Sequence, residues 1–211
     1  MFILTVTIQI KVFAQCDSLP IVYNAIKKES ICAQQENLNY YEPKIEFIGY
    51  PKDSIYVGIN SSVEEQLFNH LITTEFETKN KLNGLVNPKL SIRVCNSNII
   101  KMSYNYGDSK HFKQVIVNSF SVIIKNIDSI PIKISCRRLL PLVIEMEEID
   151  GNWNPIFDNS KYLCCGKDPI YYIKSNEIVI LTVPIIPTKK RFRLKIWKTY
   201  SNIFYPLNNL D

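Results

Sequence analysis

Apolar, β-branched and aromatic residues gather in short runs along much of this chain, and the runs are densest after residue 112. Short runs recur at 115–117, 120–124, 131–134, 143–149, 153–157, 170–173, 178–183 and 191–199. They are rich in Ile, Val, Phe and Tyr, which suit a pleated, half-buried surface. Turn compositions separate them, notably Asn126-Ile-Asp-Ser129 and Asp150-Gly151. Asp-Gly suits the favoured hairpin turn, whose two central residues need positive φ. Regular strands with such punctuation predict an antiparallel sandwich over 112–211.

The first half is more mixed. Strands are predicted at 44–50 and 54–59, parted by Pro51-Lys-Asp53, and at 90–94 after Pro88. Ser62-Val-Glu-Glu65 matches a capping box, in which hydroxyl and carboxylate satisfy each other's exposed backbone N–H groups. Val63, Leu67, Phe68, Leu71 and Ile72 then share one helical face, which predicts a helix over about 63–82. Ser18 and Pro20 could open another, reaching about residue 35. The polar stretch 104–110 is the candidate boundary. The expected fold is mainly β, with an α+β segment at 15–111 preceding the sandwich.

Residues 2–14 are mostly apolar and end Val12-Phe-Ala14, which fits a secretory signal peptide over 1–14. Against this stand Lys11 inside the stretch and no basic residue before it. Leu4, Val6, Ile8, Ile10 and Val12 also alternate as a strand would. The stretch is too short and too polar to span a bilayer. Lipidation at Cys16 would want a small residue where Gln15 stands. The localisation expected is export, to a periplasm, a cell surface or the medium.

Of 211 residues, 46% are hydrophobic and 21% charged, a balance that excludes overall disorder. The net charge is +5, but six of its cations lie between Pro187 and Lys198 with no acid among them. Without these six the balance would be slightly negative. Arg191, Arg193, Lys195 and Trp197 alternate there with Phe192, Leu194 and Ile196. One face of that strand would pack, and the other would offer three cations and an indole. This is the candidate binding face, suited to an anionic glycan or envelope surface by charge and stacking. Nucleic acid is disfavoured by the local character of the charge and by export. The competing account is structural: the cations pair with Glu145, Glu147 and the acids around Asp150, or discourage edge pairing.

The six cysteines, read with an export signal, suggest disulfides. Cys16 with Cys32 would tether the new N-terminus. Cys136 with Cys164 or Cys165 would join strands, and sequence leaves the pairing open. The alternative is that several are buried thiols. Neither the cysteine spacing nor the two histidines, His70 and His111, form a metal motif, and no cofactor motif is present. His70 is expected on the polar arc of the 63–82 helix, as a solvated histidine.

Several pieces together resemble a family of uncharacterised secreted or lipid-anchored Bacteroidetes proteins with an immunoglobulin-like β-sandwich. They are residues 121–134 as an opening strand–turn–strand, the Asp150-Gly-Asn-Trp153 hairpin, Cys165-Gly166, Ser175-Asn-Glu177 before a strand, and Ser201-Asn-Ile-Phe-Tyr205. In that family a Trp tends to stand where this chain has Cys164. The resemblance covers about 113–209, implies the immunoglobulin-like fold and carries over no catalytic residue. The function expected is an exported non-catalytic binding or structural module. The alternative is a hydrolase with its site in 15–111 or at the domain junction.

Overall fold

The structure, a computed structural model, describes residues 21–24, 43–57, 64–71, 88–106, 113–136, 140–160 and 170–206. Among these residues twelve strands and one short helix follow in order: β1 (Ile21–Asn24), β2 (Lys44–Gly49), β3 (Ser54–Val57), α1 (Glu64–Asn69), β4 (Leu90–Tyr106), β5 (Lys113–Asn126), β6 (Ile132–Cys136), β7 (Leu142–Glu147), β8 (Trp153–Asp158), β9 (Ile170–Ile173), β10 (Ile178–Pro184), β11 (Phe192–Ile196) and β12 (Thr199–Tyr200). The chain is mainly β, and its larger sheets are antiparallel.

Two four-stranded sheets run β2-β10-β5-β4 and β12-β11-β7-β8. Two ribbons, β1-β3 (parallel) and β6-β9 (antiparallel), accompany them. One buried cluster draws side chains from both larger sheets: Val122, Ile124 and Leu181 from the first, Ile144, Phe192 and Leu194 from the second. The first sheet is buried on its other face as well. There Ile123, Ile178 and Ile180 join Ile55 and Val57 of β3 and Ile100 and Met102 of β4 in a second cluster. That double cover explains why all seven residues of β10 are buried, as a continuous apolar run rather than an alternating one. β11, covered on one face only, alternates buried and half-buried.

The first half departs from expectation. The separate α+β segment at 15–111 is not supported: β2 and β4 are members of the same sheet as β5 and β10. The helix expected over 63–82 is described only for the six residues of α1. His70 turns, and Leu71 makes a β-bridge to Tyr171 while Tyr172 N donates to His70 O at 3.0 Å. Pairing with a strand edge thus overrides a helical pattern that does begin near its expected start. Residues 72–87 lie outside the described set. The helix expected from Ser18 gives way at 21–24 to β1, whose backbone pairs with β3.

The Asp150-Gly151 hairpin joins β7 to β8, but with a different turn. Only Gly151 has positive φ (79°). Glu148 N donates to Asn152 O at 2.8 Å, closing a three-residue loop with glycine in the left-handed position. Asp150 Oδ1 accepts from Asn152 N at 3.0 Å. Those bonds from Asn152, backbone first and then side chain, hold the Asp150 carboxyl below its ordinary value.

Candidate functional site

The outward side chains of β11 meet those of β7, because the two strands pair with Arg193 opposite Glu145 and Leu194 opposite Ile144. A ladder of ion pairs results: Arg193 to Glu145, Arg191 to Glu147 through two N–H groups, and Lys190 to Glu148. The bonds to Glu147 hold the Arg191 guanidinium above its ordinary value. The Arg193 guanidinium also lies 4.4 Å from the ring centroid of Trp153 and 4.4 Å from that of Tyr200. Lys195 Nζ lies 5.5 Å from the Tyr200 centroid. Stacked guanidinium and ring faces attract through the ring quadrupole.

Arg191, Arg193 and Lys195 therefore share one sheet face, as their alternation implies. Trp197 does not join them. It sits in the β11–β12 turn at φ 52°, and its side chain packs against the main core cluster. The aromatic partners are instead Trp153 of β8 and Tyr200 of β12. The hairpin at Asp150-Gly151 was a signal for Trp153, since it brings β8 beside β7. Nothing in Trp197-Lys198 announces a turn, so the return of Tyr200 alongside Lys195 was not legible. Of the candidate disulfide cysteines, Cys16, Cys32 and Cys165 lie outside the described residues. Cys136 ends β6, where its backbone pairs with Ile170. Cys95, a half-buried thiol in β4, packs against the second cluster.

A second polar centre joins α1 to the β9–β10 turn. His70 and Glu177 are buried, at 7% and 2% exposure, although the helical pattern expected a solvated histidine. His70 Nε2 lies 2.9 Å from Glu177 Oε2, and His70 Nδ1 lies 2.7 Å from Gln66 O. Glu177 Oε2 also accepts from Lys174 N at 2.7 Å. Burial pushes the Glu177 carboxyl up, but the hydrogen bonds from His70 and Lys174 outweigh it and hold it below its ordinary value. Elsewhere, burial lowers Lys44 while neighbouring Glu46 opposes the shift.

Among the described residues no His, Cys, Asp or Glu cluster is arranged to hold a metal, and no helix is long and apolar enough to cross a membrane. An apolar crevice of about 10 Å³ lined by Phe120, Phe192 and Phe204 has room for no more than a water-sized group. In comparisons with known proteins, no family model, curated protein or solved structure matches this chain.

Proposed function

We propose that this chain is an exported, non-catalytic binding module built on an immunoglobulin-like β-sandwich, with its contact face on the outside of β8-β7-β11-β12. The observation that carries it is the stack Trp153–Arg193–Tyr200–Lys195, laid out on one sheet face with Tyr200 44% exposed. Two antiparallel four-stranded sheets sharing a core support the sandwich. The resemblance of residues 113–209 to secreted sandwich proteins supports both fold and export. The partner that fits is an anionic glycan or envelope surface. Its sugar rings would stack on Tyr200, and its anionic groups would meet Lys195, whose ammonium faces no carboxylate among the described residues. Arg191 and Arg193 are neutralised by Glu147 and Glu145. They shape the face and contribute little net field, so affinity should be modest and salt-sensitive.

A heparin column tests the face. Replacing Arg191, Arg193 and Lys195 together by Ser is expected to abolish retention, and unchanged retention would remove the binding account. Mass spectrometry of secreted material tests export, with a mature start at Gln15 expected; an intact Met1 would sink it.

A hydrolase remains the alternative because His70 and Glu177 form an imidazole–carboxylate pair between the two halves of the chain. Both ring nitrogens are committed to acceptors, however. A general base needs a bare nitrogen within reach of its substrate's proton, so this geometry favours the binding module.

A further inference from the structure

A neutral imidazole carries one N–H, yet both ring nitrogens of His70 face oxygen acceptors. The Gln66 carbonyl at Nδ1 can only accept. Glu177 Oε2 at Nε2 already accepts the Lys174 N–H, as an ionised carboxylate does. With one ring proton, either the Gln66 carbonyl or Glu177 Oε2 would face a bare nitrogen in a site buried from water, at a cost comparable to a lost hydrogen bond. A second ring proton satisfies both contacts and supplies the counter-charge that a buried carboxylate requires.

The pair also sits where several elements meet. Gln66 of α1 accepts from Ile48 N of β2 through its side chain at 3.0 Å. His70 O accepts from Tyr172 N of β9. Glu177 O accepts from Asn126 N of β5 at 3.0 Å. Among the described residues the other titratable or charged groups facing the pair are Tyr172, whose ring centroid is 5.7 Å from that of His70, and Lys174.

We propose that His70 and Glu177 form a buried imidazolium–carboxylate latch that holds the α1 segment against β2 and β9 and opens when that ion pair is lost. A carboxyl held below its ordinary value of 4.5 stabilises the fold above that value. That stabilisation is lost as pH falls through the lower, folded value.

Nitrogen-15 NMR of the full chain, with His111→Gln to leave a single histidine signal, tests this. At pH near 7 both His70 ring nitrogens should carry protons. As acidification protonates Glu177, hydrogen-exchange protection at the Tyr172 amide should fall, roughly tenfold or more. In Glu177→Gln the ring should hold one proton at pH near 7. A singly protonated ring in the unmodified site would overturn the latch. So would Tyr172 protection indifferent to protonation of Glu177, or a ring still doubly protonated near pH 7 in the Glu177→Gln variant.

Discussion

Asn126 holds three segments together with one buried amide. Its Nδ2 donates to Ile130 O at 2.8 Å and to Ile173 O at 3.2 Å, and its Oδ1 accepts from Asp128 N at 2.8 Å. Its own backbone N–H and C=O bond Glu177 and Asn176 across the β9–β10 turn. The side chain is at 0% exposure, so truncation strands one donor and two acceptors, and the bond to Ile173 O is lost from a buried site. Asn126→Ala should cost about 2–4 kcal/mol, read as a lowered urea midpoint. The turn at 126–129 was legible from its Asn, Asp and Ser. The reach of Asn126 to Ile173, 47 residues on, was not, because no local pattern encodes which distant carbonyl needs a donor. The same holds for His70 and Glu177, separated by 107 residues. A polar position on a helical stripe reads as solvated until the carboxylate that covers it is known. Asn176, at φ 64°, occupies the left-handed position that asparagine tolerates best among non-glycine residues.

At the scale of elements, β7 and β11 illustrate how register converts two charge patterns into one ladder. Antiparallel pairing sets Glu145 against Arg193, and the rings of Trp153 and Tyr200 then flank that guanidinium. Partly exposed ion pairs contribute little, because water screens them and ordering the side chains costs entropy. Stacking of the cation on the rings adds a comparable amount. Arg193→Ala should therefore destabilise the fold by about 1–2 kcal/mol. A double-mutant cycle of Arg193→Ala with Tyr200→Leu should show a coupling of about 0.5–1 kcal/mol. A coupling indistinguishable from zero would mean the stack is only a neighbourhood. The alternation of Phe192, Leu194 and Ile196 against Arg193 and Lys195 made this strand plain from the sequence pattern. Its end was not plain, since Trp197 continues the period-two pattern while its backbone has already turned.

For the molecule as a whole, each edge of the two larger sheets meets a device that discourages further pairing. At the β2 edge, Ile48 N donates to Gln66 Oε1 of α1. At the β4 edge, Val94 N donates to Asn202 Oδ1 at 3.0 Å, and Asn96 Nδ2 reaches Tyr205 O at 2.7 Å. In the second sheet β8 carries Pro155, which has no N–H to offer, and β12 is only two residues long. Side-chain amides thus complete bonds that a neighbouring chain would otherwise make. Gln66→Ala and Asn202→Ala together should leave two edge N–H groups without these acceptors. Light scattering should then show self-association at concentrations where the parent chain is monodisperse, with each single change costing about 1 kcal/mol.

The strand content and the positions of β2, β7, β8, β9, β10 and β11 lie in the sequence, because a half-buried strand needs period two and a doubly covered one needs an unbroken apolar run. The start of α1 lies there too, and so does the helix signal from Ser18 that β1 overturns at 21–24, since capping and periodicity act locally. Only tertiary structure decided that β2 and β4 join β5 and β10 in one sheet, that Leu71 leaves the helical path to bridge Tyr171, and that His70 is buried on Glu177. Those outcomes depend on which edges and which buried acceptors come together, and that is set by the free energy of the assembled core rather than by any short window of residues.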